Sequence, residues 1–112
     1  MQKKENNMDP EFKFEIHKDS IGDNIRFYGN IDSHCEPQFE ELTRKITGKK
    51  VFMDFSNTGR INSMGIAILL RSIKNIKTEK KSEVAIIGEN KTHAMLFKIT
   101  GLYTLSTPYM PV

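Results

Sequence analysis

At 112 residues, with 38% hydrophobic and 28% charged side chains, the chain has the size of one domain that buries a sheet and a few helices but no second core. Its 17 Lys and Arg against 14 Asp and Glu leave a net charge of +3, mild and without a block of about five like charges, so the lysines read as solvated faces rather than a nucleic-acid stripe. A single cysteine, Cys35, excludes an internal disulfide, and no apolar run approaches the roughly 20 residues that span a bilayer. The opening MQKKENNMDPEF has no signal-type apolar segment, so the expectation is a cytoplasmic protein with no membrane or nucleic-acid partner.

Residues 1–10 are polar and end in Asp9-Pro10, which reads as a flexible tail ahead of a domain over 11–112. Glu11 to His17 alternates, with Phe12, Phe14 and Ile16 on one side and charges on the other, as in a half-buried edge strand. Asp19 to Asn24 supplies a turn, and Ile25, Phe27 and Gly29 continue a second strand of a hairpin. Pro37 suits the first turn of a helix whose inner face is Phe39, Leu42 and Ile46. Glu36, Glu40 and Glu41 crowd its start and Arg44 and Lys45 its end, as the macrodipole favours, and Thr47-Gly48-Lys49 stops it.

Val51, Phe52, Met53 and Phe55 form an apolar run that fits a strand covered on both faces. Ser56 to Arg60 reads as a loop, with Gly59 free to take positive φ. Ile66, Leu69, Leu70, Ile73 and Ile76 then recur at helical spacing, with the helix starting near Ser63 or Met64. Glu83 to Gly88 is a further apolar strand. Glu89 to Thr92 is a loop with a cap candidate, and His93 to Thr100 is a helix with Leu96 and Ile99 inward, closed by Gly101. Leu102 to Tyr109 is a candidate last short strand. Strands alternating with helices in this order predict an α/β domain, a mostly parallel sheet of four to five strands with helices packed against it.

Ser63 carries the main chemical question. At a helix start its hydroxyl serves as an N-cap, worth about 1 kcal/mol, and the same position welcomes a phosphate of about −1.5 to −2 charge on the helix's positive end. The two roles are compatible. Elsewhere the inventory is thin. His34 and Cys35 are neighbours, His17 and His93 are remote, and a metal needs three or four convergent ligands, so no metal or cofactor is expected. Cys35 has no base and orienting group to make it a nucleophile. Gly59 and Gly65 form no phosphate-cradling loop. Asp32 and Asp54 stand where strand ends could bring them together, yet nothing marks either as an acid or base. An enzyme is not expected.

Three stretches together resemble one family. Gly29-Asn30-Ile31-Asp32 before a helix, Asp54-Phe55-Ser56 through Ile61-Asn62-Ser63-Met64-Gly65-Ile66, and Leu96-Phe97-Lys98-Ile99-Thr100-Gly101-Leu102 are similar in order and separation to the motifs of the STAS domain, the fold of bacterial anti-sigma-factor antagonists. The resemblance implies a protein that binds an anti-sigma factor with serine kinase activity, is phosphorylated by it at Ser63, and is restored by a PP2C-type phosphatase. It places the partner-binding surface on Asp32, Asn62, Ser63, Met64 and Gly65. Asn62 stands where the family has aspartate, and Met64 where it has a second serine or threonine. These departures keep two alternatives open: a non-phosphorylated scaffold of the same fold in a signalling assembly, and a nucleotide-binding regulatory module using the cleft at the strand ends. Homodimerisation is left open as well.

Overall fold

The computed structural model describes residues 11–107; the expected tail at 1–10 and the end of the expected last strand at 108 and 109 lie outside them. The elements run β1 (Lys13–Lys18), β2 (Asp23–Ile31), a 3-10 turn (Ser33–Cys35), α1 (Glu36–Lys45), β3 (Lys50–Ile61), α2 (Ser63–Glu79), β4 (Glu83–Ile87), α3 (Lys91–Thr100) and α4 (Leu102–Leu105). Among the described residues the sheet has four strands in the order β1-β2-β3-β4. The β1/β2 hairpin is antiparallel, and β2/β3 and β3/β4 are parallel. The expected α/β class, with a mostly parallel sheet, is what the chain forms.

Alternation along the strands decides which side is dry. Ile25 and Phe27, Val51, Met53 and Phe55, and Val84 and Ile86 join Phe39 and Leu42 of α1 and Ile66, Leu69, Ile73 and Ile76 of α2 in one core. A run of rings crosses it: Phe12 to Phe39 at 5.3 Å, Phe39 to Phe27 at 5.3 Å, Phe27 to Phe55 at 5.1 Å and Phe55 to Phe97 at 5.1 Å between centroids. Such pairs add to simple burial through their edge and offset geometry.

The expected loop at Ser56 to Arg60 is instead the second half of β3. Pairing with β2 continues from Tyr28 opposite Asn57 to Ile31 opposite Ile61, with register shifts between Arg26 and Tyr28 and between Gly29 and Ile31. These bulges let β3 carry more residues than its partner over the same length. Its other edge is open beyond Asp54, because β4 ends at Ile87, so this stretch is half wet and its composition imitates a loop. Gly59 does not take positive φ, which among glycines belongs to Gly29, Gly88 and Gly101. A Cβ on Gly59 would instead stand 2.2 Å from Asn30 Oδ1.

Two further expectations change. On α3 it is His93 and Phe97 that are buried; Leu96 packs partly buried against the core as expected, while Ile99 is 76% exposed. After Gly101, in the left-handed region at φ 83°, the chain makes the short helix α4 rather than a strand. Only an isolated parallel bridge from Thr107 to Ala85 follows among the described residues. Asp54 does not meet Asp32. It lies mid-strand opposite Arg26, accepts from Ser56 Oγ at 2.6 Å and has Arg26 Nε at 3.6 Å, on the sheet face away from the core.

Candidate functional site

The C-terminal ends of β2 and β3 lie side by side where α2 begins. The Asn62 amide donates to Ile31 O at 3.3 Å, so Asp32 and Ser63 each stand one residue beyond a bonded pair and share one end of the sheet. Asp32 caps the 3-10 turn, its Oδ1 accepting from His34 N at 2.9 Å. Gly65 is buried, and a Cβ there would meet Ile31 O at 2.1 Å. It therefore sets how closely α2 approaches β2 and offers no side chain to a partner.

The expected cap moves by one residue. Asn62 is the N-cap of α2, its Oδ1 accepting from Gly65 N at 2.8 Å, and Ser63 is the first helical residue. Asparagine caps as well as serine does, and the side chain three residues before a free first-turn amide takes it. The Ser63 side chain is exposed and its hydroxyl has no partner among the described residues. Met64 beside it is 56% exposed. Asn62→Ala is accordingly expected to cost about 1 kcal/mol of stability and Ser63→Ala less than about 0.5 kcal/mol. Urea unfolding of the two variants checks this; equal losses would mean that Ser63 shares the cap.

A cleft of roughly 920 Å³ opens beside these residues, lined among others by Asn30, Asp32, Thr58, Asn62, Asn90 and His93. The start of α3 mirrors that of α2, with Asn90 as N-cap accepting from His93 N at 2.8 Å. The N-cap residues of α2 and α3 thus both line one cleft. Residue types alone do not mark Thr58 or His93 at this site, and Asn30 enters only as part of the Gly29-Asn30-Ile31-Asp32 stretch. The repeated Asn-x-x spacing of Asn62-Gly65 and Asn90-His93 could have revealed the two caps.

Among the described residues no three His, Cys, Asp or Glu side chains converge on a point that could hold a metal, and no helix is long and apolar enough to cross a membrane. Cys35 is buried at 1% exposure. Burial pushes its thiol above the usual range, and the Asp32 amide pulls the other way without prevailing, so the sulfur stays protonated and weakly nucleophilic.

Comparison with known proteins bears on the whole arrangement. The family model described as the STAS domain matches residues 16–111. No curated protein sequence matches the chain. Among solved structures, an anti-sigma factor antagonist from Mycobacterium paratuberculosis is similar at TM-score 0.69 and 15% identity, covering 91% of this chain and 88% of that one. The anti-sigma factor antagonist SpoIIAA in its unphosphorylated form is similar at TM-score 0.67 and 14% identity, over 88% of this chain and 89% of that one. The phosphorylated form of the Bacillus cell fate determinant SpoIIAA gives TM-score 0.61 and 14% identity, over 88% and 92%. At these identities the structural likeness speaks for the fold.

Proposed function

The chain belongs to the STAS domain family, and from that membership we propose that it is a cytoplasmic anti-sigma-factor antagonist, a regulatory binding protein rather than an enzyme. Its partner is an anti-sigma factor with serine kinase activity, which phosphorylates Ser63, and a PP2C-type phosphatase reverses the step. The observation that carries this reading is the state of Ser63: exposed at the first residue of a 17-residue helix, with its hydroxyl spared from capping because Asn62 does that work. A phosphate can be added there without removing a bond from the fold. Near the helix's positive end it gains about 0.3–1 kcal/mol, so the domain stays folded while the surface offered to a partner changes charge. The proposed contact surface is Asp32, Asn62, Ser63 and Met64, with Gly65 holding α2 in place beneath it.

The exposed Met64 supports a second reading, in which an adaptable apolar side chain docks a scaffold partner and phosphorylation has no role. Ser63→Asp separates the two. Under the antagonist reading it weakens binding of the kinase-type anti-sigma factor at least tenfold, about 1.4 kcal/mol, by calorimetry with the purified partner. Incubation of the wild type with that partner and ATP places one phosphate on Ser63 by mass spectrometry. An unmodified Ser63 together with unchanged Ser63→Asp binding would overturn the switch and leave the scaffold.

A further inference from the structure

Among the described residues β1 ends the sheet with a free edge, whereas β4 at the other end meets Thr107, whose N–H donates to Val84 O at 2.6 Å. β1 has no proline and pairs with β2 without a bulge, so neither of those devices blunts the edge. The hairpin is closed by Asp19 N donating to Gly22 O at 3.0 Å. Bonded and non-bonded pairs alternate from there, so Lys13, Glu15 and His17 exchange bonds with β2, while Phe14 and Ile16 turn their N–H and C=O groups to the open side. The Phe14 and Ile16 side chains pack against the core and are only half-buried. The edge is therefore apolar as well as unpaired.

The charges along this strand follow an order of their own. Lys13 Nζ lies over the Tyr28 ring at 5.0 Å, and Glu15 Oε1 accepts from Tyr28 Oη at 3.0 Å, which puts both on the sheet face away from the core. From Glu11 to His17 the sequence reads Glu-Phe-Lys-Phe-Glu-Ile-His. Reversed about Phe14, it becomes its own complement: Lys13 falls opposite Glu15, Glu11 opposite His17, Phe12 opposite Ile16 and Phe14 opposite itself. A centre at Glu15 would set Glu15 against Glu15 and Lys13 against His17. A centre at Lys13 would set Lys13 against Lys13 and Glu11 against Glu15. A centre at Ile16 would set Phe14 against Lys18, whose Nζ is committed to Asp23 Oδ1 at 2.9 Å.

We propose that β1 pairs with β1 of a second copy of this chain, antiparallel about Phe14, joining the two sheets into one. The N–H and C=O of Phe14 bond their counterparts in the other copy, and Ile16 bonds with Phe12. Phe12 O already accepts from Gln38 Nε2 at 3.2 Å, and its second lone pair serves the new bond. Two Lys13–Glu15 pairs flank the axis on the outer face, where opposite charges stabilise a ladder and like charges weaken it. A free edge offers main-chain bonds to any extended strand; the self-complementary charges select this one. The contact is isologous and closes at two copies. With residues 11–17 on each side it falls well short of the roughly 20–30 residues of a standard interface, so the dimer is weak. β2 lies between β1 and the strand that leads to Ser63, and the dimer is measured on the isolated chain, so this pairing and the antagonist reading can each fail alone.

The test is sedimentation equilibrium of the full chain at neutral pH and low salt, loaded up to about 1 mM, which registers a Kd of that order or tighter. Expected is a monomer–dimer equilibrium within that range. Lys13→Glu and Glu15→Lys each set two like-charge pairs across the axis, and each weakens the dimer at least fivefold. Both side chains are exposed, so the variants keep the wild-type fold. Mixed in equal amounts they restore every pair in a heterodimer, and so does the double substitution within one chain; both return wild-type affinity. Amide exchange at Phe14 and Ile16 slows as wild-type concentration rises. A chain that stays monomeric at about 1 mM, a dimer that either single variant leaves intact, or a mixture no tighter than its components overturns the pairing.

Discussion

Asp23→Ala is expected to remove about 3 kcal/mol of stability at pH 7, and progressively less as pH falls below the unfolded carboxylate value of about 3.9. The Asp23 carboxylate is 1% exposed and closes the end of α1 onto the hairpin. Its Oδ2 accepts from Thr47 N at 2.9 Å and Gly48 N at 3.1 Å, and its Oδ1 from Lys18 Nζ at 2.9 Å. Lys18 in turn donates to Lys45 O at 2.9 Å. Truncation strands two backbone donors, while Lys18 loses its counter-ion but keeps Lys45 O and Thr47 Oγ1 and remains half in water, so the loss stays at the low end of that for a broken buried pair.

The pH dependence follows from the same contacts. Burial works against the charged carboxylate, but the Lys18 hydrogen bond, the Gly48 and Thr47 amides and the Lys18 charge together hold Asp23 below its ordinary value. A depressed folded-state pKa contributes stability that is full above the unfolded value of about 3.9 and is lost as pH falls through the folded one. Asp19, held low by the Gly22 and Ile21 amides, acts in the same direction. Urea unfolding of wild type and variant at pH 7 and pH 3 should show the gap between them closing on the acid side. A gap that widens on acidification would refute the assignment.

Gly65→Ala is expected to cost about 2 kcal/mol and to loosen the start of α2. The new methyl would stand 2.1 Å from Ile31 O and 2.7 Å from Ile31 C, both backbone atoms of β2 that cannot step aside. Overpacking of this kind costs about 1–3 kcal/mol, and the better helix propensity of alanine returns at most about 1 kcal/mol. Relief comes by lifting α2, which stretches the Asn62-to-Ile31 bond and moves Ser63. The signature is a fall in thermal midpoint together with faster hydrogen exchange at Asn62 and Ile66. Wild-type exchange at both would show that α2 is not held by this approach.

Much of this site was legible in residue types. Ser63 stands out because a hydroxyl followed by Met64, Gly65 and an apolar stripe marks a helix start. Phe39, Leu42 and Ile46 declare their core positions by spacing, whereas the run Val51-Phe52-Met53-Phe55 reads as covered on both faces, and the structure buries Val51, Met53 and Phe55 while Phe52 stays half-buried on the opposite face. Residue types place the cap one residue late because serine and asparagine compete on equal terms for it. The second half of β3 reads as a loop because an edge segment with one wet side and two bulges has a loop's polar composition.

The inward face of α3 shows the limit most clearly. Ala94, Met95, Leu96, Phe97 and Ile99 surround that helix with apolar side chains, so periodicity cannot orient it. The choice falls to Phe97, which reaches the Phe55 ring, and to His93, whose Nε2 finds Gly59 O. Sequence by itself determined the order of elements from β1 to α3, the single core, and a serine at a helix start, because each depends on neighbours a few residues apart. The tertiary structure alone decided that Asn30, Asn62 and Asn90 share one cleft with Thr58 and His93. Those residues come from different strands and helices, and only the pairing of β2 with β3 and the docking of α3 bring them together.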